Sequence, residues 1–162
     1  MRKVEEGCLW IGNASDARNF AQLYESSVQA VVDLALEERL EPPPRDLIYL
    51  RHPLRDGGGD SPAQLRTAVA SVGRLLIEGI PALVACGAGM SRSPSVAVVA
   101  IAMHRQERAE DRLQRVVAHG PRDVSPLFWQ EIIAACFADE VRAKHSQRPE
   151  EAPGGAGAAS WS

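Results

Sequence analysis

Apolar positions along the chain fall into short blocks whose spacing alternates between the strand and helix periods. Cys8-Leu9-Trp10-Ile11-Gly12 is an apolar run halted by Gly12-Asn13, which predicts a first strand. Ser15 then offers an N-cap to a brief helix carrying Phe20, Leu23 and Tyr24. Val28 to Leu34 is rich in β-branched residues and reads as a buried strand. Leu47 to Leu50 predicts a third strand, ended by His52-Pro53. Between these two, Pro42-Pro43-Pro44 fits neither a helix interior nor a central strand and marks a surface connection. Arg55 to Asp60, with its three consecutive glycines, is loop. Ser61-Pro62-Ala63-Gln64 starts a helix with two independent signals: Ser61 and Gln64 are spaced for a capping box, and Pro62 suits the first helical position. Leu65, Val69, Val72 and Leu76 form the apolar stripe of that helix, and Gly79 stops it.

The second half of the chain repeats the alternation. Ile80 to Ala85 is apolar throughout, as a central strand must be. Cys86 ends it, and Gly87-Ala88-Gly89-Met90-Ser91 form a loop. Ser93-Pro94 repeats the cap-then-proline start, opening a helix that is apolar nearly all round and therefore buried. A short helix with Leu113, Val116 and Val117 follows, then a last one started by Ser125-Pro126 and carrying Phe128, Ile132, Ile133, Cys136 and Phe137. Strands alternating with helices predict an α/β domain built on a central, largely parallel sheet flanked by helices. The folded domain is expected over residues 1–145. From about Ser146 the chain turns to Pro, Glu, Gly and Ala and lacks the apolar content to offset its ordering entropy, so 146–162 is expected to be a disordered tail.

Composition narrows the class. A chain of 162 residues is one domain, and a net charge of −3 speaks against a nucleic-acid binder. The longest apolar run, Val96 to Met103, falls far short of the roughly 20 residues a membrane span needs. The opening Met1-Arg2-Lys3-Val4-Glu5-Glu6 turns acidic at once, unlike a secretory signal. Cys8, Cys86 and Cys136 are odd in number, far apart and without zinc-ligand spacing, and His104, His119 and His145 show none either. Reduced thiols, a cytoplasmic location and no metal or cofactor are expected. Arg105, Arg108, Arg112 and Arg115 lie near helical spacing, but Glu107, Glu110 and Asp111 interleave with them, as on an ordinary salt-bridged face.

One segment carries chemistry. Val84-Ala85-Cys86-Gly87-Ala88-Gly89-Met90-Ser91-Arg92-Ser93-Pro94 places a cysteine, five residues, an arginine and a serine between a buried strand and a buried helix. Gly87 and Gly89 let the backbone curl so that successive N–H groups point inward, an anion nest at the positive end of a helix. Such a nest stabilises negative charge on a sulfur held inside it. Arg92 supplies a planar fork matched to two phosphate oxygens. An inert core cysteine is the competing account for a lone Cys. The joint occurrence of Cys86, two glycines, Arg92 and Ser93 at a strand–loop–helix junction argues against it.

This segment resembles the signature of the cysteine-dependent protein phosphatases, specifically the small dual-specificity type. Leu9-Trp10-Ile11-Gly12-Asn13-Ala14 and Ala30-Val31-Val32-Asp33-Leu34-Ala35 resemble that family's opening strands, and Tyr49-Leu50-Arg51-His52-Pro53-Leu54-Arg55-Asp56 resembles its general-acid segment. The resemblance runs from about Cys8 to Phe137 and implies a cysteine-dependent phosphatase-like fold. It also implies that Cys86 attacks phosphorus to form a cysteinyl-phosphate. Gly87, Ala88, Gly89, Met90, Ser91 and Arg92 would then hold the equatorial oxygens, and Ser93 would hydrogen-bond the sulfur. The family places its acid about thirty residues before the cysteine, which selects Asp56. Asp60 competes, although its place before the Ser61 cap also suits a purely structural role.

Two departures from the family stand out: Ala85 where most members carry histidine, and Leu127 where many have a buttressing asparagine. Both imply weakened activity, with an alkaline-shifted optimum in the case of Ala85. The implied substrates are phosphotyrosine and phosphoserine or phosphothreonine in proteins. The uncharged loop counts against a highly charged lipid headgroup. Three other readings stay open: a phosphate-binding module without turnover, a small-molecule or carbohydrate phosphatase, and a rhodanese-like sulfurtransferase.

Overall fold

The computed structural model describes residues 1–5, 8–39, 42–118 and 123–137. The expected tail, 146–162, lies outside them. Strands β1 (Arg2–Glu5), β2 (Leu9–Asn13), β3 (Ala30–Ala35), β4 (Ile48–Leu54) and β5 (Ala82–Cys86) form one sheet in the order β1-β2-β5-β3-β4. The last four run parallel and β1 pairs antiparallel at one edge, so the sheet is α/β and largely parallel as the pattern predicts. β5 is central and all five of its residues are buried.

Alternation along β5 divides the core in two. Ala82, Val84 and Cys86 face the larger cluster, with helices α3 (Pro62–Ile77), α4 (Arg92–Arg105) and α6 (Pro126–Cys136). Leu83 and Ala85 face the smaller one, with Val31, Leu47, Ala17 of α1 (Ala14–Arg18) and Leu23 of α2 (Phe20–Glu25). Helix α4 is buried from Arg92 to Ala102, including the polar Arg92, Ser93 and Ser95. Helix α5 (Ala109–Ala118) packs on it from outside. Among the described residues, no helix is long and apolar enough to cross a membrane.

Local chemistry corrects several boundaries. Asn13, not Ser15, caps α1: its side chain accepts from the Asp16 amide while the Asp16 carboxylate accepts from the Asn13 amide. Asn19 then caps α2 separately. β4 runs through His52-Pro53 to Leu54, because an edge strand tolerates a proline that donates nothing to a ladder. Helix α4 begins at Arg92, ahead of Ser93-Pro94. β1 has no counterpart in the apolar pattern, since its residues are mostly polar and lie at an edge. The remaining boundaries agree closely: the Ser61–Gln64 capping box forms, Pro62 opens α3, and Ser125 caps α6 ahead of Pro126.

On the basic face of α5, Arg112 and Arg115 both pair with Glu107, which supports the salt-bridged reading. Phe128 and Ile132 anchor α6 to the main core with no exposed surface. Phe128→Ala should therefore cost about 3–5 kcal/mol, read from urea unfolding.

Candidate active site

Parallel strands bring their C-terminal ends to one edge, where loops can reach a shared ligand. Cys86 ends β5 opposite Asn13 of β2, and its sulfur is buried, 2% of the residue being exposed. The Gly89 amide donates to Cys86 Sγ at 3.3 Å, and the thiol lies 3.4 Å from Ser93 Oγ. The Ser93 hydroxyl in turn donates to the Gly12 carbonyl at 3.2 Å. This bond explains why Ser93 does not cap a helix: its side chain serves the sulfur and the neighbouring strand. Gly89 takes φ +74°, and a Cβ there would fall 2.9 Å from the Gly12 backbone, so only glycine fits.

Four helices, α1, α2, α3 and α6, have a side chain accepting from their first-turn amides. Helix α4 has none: Ser91 stands at its N-cap without a side-chain cap bond. The Ser91 hydroxyl instead accepts from the Ser125 amide at 3.0 Å. The orphan donors and positive end of a buried helix thus open onto the loop that holds Cys86.

Arg92, 1% exposed, lies at the start of this helix. Its two terminal nitrogens donate to both Glu37 oxygens, at 2.7 and 2.5 Å, and Nη1 also donates to the Leu54 carbonyl at 2.8 Å. Nε has no hydrogen-bond acceptor among the described residues and lies 3.6 Å from Asp56 Oδ1. Burial works against the guanidinium charge, but the hydrogen bond to Glu37 and the charges of Cys86, Glu37 and Asp56 outweigh it. Glu37 responds in kind. The hydrogen bond from Arg92 holds its carboxyl below the ordinary range against a smaller opposing effect of burial.

The geometry separates the two candidate aspartates. Asp60 is buried, 8% exposed, and its Oδ2 accepts from the Arg55 amide at 2.9 Å, closing the base of the glycine loop. Asp56 projects outward, with 68% of its side chain exposed, and faces Arg92.

Several other sequence expectations find their places. Leu127 is exposed, and Ser125 two residues earlier makes the contacts to the loops. Its amide holds Ser91, its hydroxyl caps the Phe128 amide, and the same hydroxyl lies 3.5 Å from the Gly57 carbonyl. The Ala85 side chain packs in the smaller core, on the opposite face of β5 from Cys86. Cys8 precedes Leu9, which pairs with Ala82 at the far end of β5, about five residues or 16 Å from Cys86. That span excludes a disulfide, which needs Cα atoms within about 7 Å. Cys136 is half-buried against the core, and burial pushes its thiol up to about 11. His52 lines a cleft between β4 and the start of α3, away from the sulfur. Sequence reasoning missed Glu37 and Glu131. For Glu37 a signal existed, an acidic pair directly after a buried strand.

No protein-family model matches the sequence, and a search of curated proteins finds no match. Solved structures do match. Human DUSP28 superposes with a TM-score of 0.73 at 25% identity, over 88% of this chain and 99% of that one. Tk-PTP in its active form gives 0.66 at 20% identity, over 87% and 96%. OH1 from Orf virus, a tyrosine phosphatase described as having triple substrate specificity, gives 0.65 at 22% identity, over 86% and 87%. The chain is thus a small protein of the dual-specificity, cysteine-dependent phosphatase fold, and its structural neighbours are phosphatases.

Two outcomes follow from this geometry. Gly89→Ala should cut phosphate affinity, measured by isothermal titration with inorganic phosphate or vanadate, because its Cβ meets immobile backbone. Glu37→Gln should flatten the acid side of the stability curve. A carboxyl held below its ordinary value of 4.5 contributes stability that is complete above that value and lost as pH falls through the lower folded one. Urea unfolding between about pH 3 and 6 reads this difference.

Proposed function

We propose that the protein hydrolyses phosphomonoesters through a cysteinyl-phosphate, with phosphotyrosine and phosphoserine or phosphothreonine in proteins as its substrates. One observation carries the reading. The only helix among α1, α2, α3, α4 and α6 without a side-chain cap is the one whose N-terminus meets a buried thiol and a buried arginine. A dianionic phosphoryl group supplies the acceptors that these donors lack.

In the first step Cys86, its proton lost to solvent, attacks phosphorus as the thiolate, the S–P bond forming as the ester O–P bond breaks. The loop amides from Gly87 to Arg92 and the Arg92 guanidinium hold the equatorial oxygens, where transition-state charge resides. Arg92 Nε, which has no acceptor among the described residues, donates to one of those oxygens. Asp56 gives its proton to the leaving oxygen. In the second step water attacks phosphorus, Asp56 takes the proton back, and the S–P bond breaks. With the sulfur as a thiolate, the Ser93 hydroxyl turns from the Gly12 carbonyl to donate to sulfur, stabilising it as it departs.

The absence of an imidazole at Ala85 makes this a slow catalyst. The three free cysteines suit a reducing, cytoplasmic setting in which Cys86 stays reduced. The neutral loop and exposed Glu37 and Asp56 around the mouth favour a singly phosphorylated side chain over a polyanionic headgroup.

The test is a pH–rate profile with an aryl phosphate. Cys86→Ser should abolish turnover, and Asp56→Ala should remove the basic limb. Asp60→Ala should lower the unfolding temperature and keep that limb. Unchanged turnover in Cys86→Ser would sink the mechanism, and a basic limb lost only in Asp60→Ala would move the acid to Asp60.

A further inference from the structure

The glycines of the loop carrying Asp56 cannot hold its position by side-chain packing. Gly57, Gly58 and Gly59 all take positive φ, +92°, +112° and +91°, and contribute no side chains to pack. Contacts within the loop, from the Arg55 amide to Asp60 and from Arg55 Nη1 to the Gly59 carbonyl, tie its two ends together. They do not fix where the closed loop sits relative to Cys86. Two contacts with α6 reach it from outside. The Ser125 hydroxyl lies 3.5 Å from the Gly57 carbonyl, at the outer limit of a hydrogen bond. Glu131 Oε2 accepts from the Gly59 amide at 2.8 Å. Gly58 lies so close over the same carboxylate that a Cβ there would fall 2.8 Å from Oε2.

We propose that Glu131 is the positioning residue of the general acid: by gripping the Gly58-Gly59 backbone from α6, it sets Asp56 against the leaving-group oxygen. The proposal rests on the phosphatase reading above. Its anchor is rigid, because Phe128 and Ile132, on either side of Glu131 in α6, have no exposed surface. A carboxylate accepting a backbone amide makes a charge-assisted bond, roughly twice as strong as a neutral one. The same helix also braces the phosphate loop, through the Ser125 amide on Ser91 Oγ. One rigid element therefore indexes the acid and the nucleophile to each other. A misplacement of about 1 Å in such a pair costs about a hundredfold.

Turnover of a series of aryl phosphates differing in leaving-group basicity tests this. A correctly placed acid makes the rate nearly independent of that basicity; a displaced one makes poor leaving groups slow. Glu131→Ala should lose about tenfold or more on phenyl phosphate and no more than about twofold on a nitrophenyl phosphate, with a flattened basic limb. Glu131→Gln should restore the wild-type pattern, since its amide oxygen accepts the same N–H. Gly58→Ala, which pushes against the carboxylate from the loop side, should reproduce the alanine pattern and carries the test alone if Glu131→Ala does not fold. Equal losses on all leaving groups, no loss, or a Gln variant as impaired as Ala would overturn the proposal while leaving the phosphatase reading intact. A wild type no faster than Cys86→Ser overturns both.

Discussion

The buried charge of Arg92 is the constraint on which the rest of the site depends. Its guanidinium is almost fully enclosed, and an unpaired ion in that position would cost several kcal/mol. Glu37, beyond the end of β3, takes both terminal nitrogens, and the Leu54 carbonyl at the end of β4 takes one of them again. Strand order then becomes functional. With β5 seated between β2 and β3, the ends of β2, β3, β4 and β5 converge, and each places one group: Gly12 behind Ser93 and Gly89, Glu37 and Leu54 on Arg92, and Cys86 at the centre. Moving any one strand would leave a buried polar group without its partner.

The same logic explains what holds the shape of the cysteine loop. Gly89 lies against the Gly12 backbone too closely for a side chain, so the loop's curvature is set by main chain packed on main chain. Ser91 is held from behind by the Ser125 amide, and Ser95 donates to the Ser91 carbonyl at 2.7 Å. None of these contacts uses residues 85 or 127. The shape of the loop is therefore independent of the side chains at 85 and 127. The Ala85 methyl itself faces the apolar cluster under α1 and α2, away from the loop.

Legibility in the sequence followed the range of the physics involved. The central strand, the buried helix α4 and the Ser61 capping box rest on periodicity and near-neighbour chemistry, and all appear as read. The cysteine loop was legible because Cys86, Gly87, Gly89, Arg92 and Ser93 are local to one another. Helix starts were misread where a side chain had a distant use. Ser93 looks like a cap but serves the sulfur and Gly12, while Ser15 lost its place to Asn13, which has Asp16 to complete a capping box. Glu37 and Glu131 lie 55 and 72 residues from the groups they hold; the acidic pair after β3 hinted at the first, and no local pattern distinguishes Glu131 from a solvated carboxylate.

The aspartate pair shows what the structure adds to spacing alone. Asp56 and Asp60 flank the same glycines and precede the cysteine by similar distances, so composition and periodicity treat them alike. Burial does not. Asp60 has spent both oxygens on Arg55, one on its amide and one facing its guanidinium at 3.7 Å, and it has almost no contact with solvent. A carboxylate in that role closes a loop and is poorly placed to exchange a proton with a bound ester. Asp56 faces the Nε edge of Arg92, the edge to which the proposed function assigns the phosphoryl group. On that proposal, substrate binding has to displace Asp56 from the guanidinium. On the same proposal, the phosphate takes over the charge that held the carboxylate, and this release frees Asp56 to turn toward the leaving oxygen.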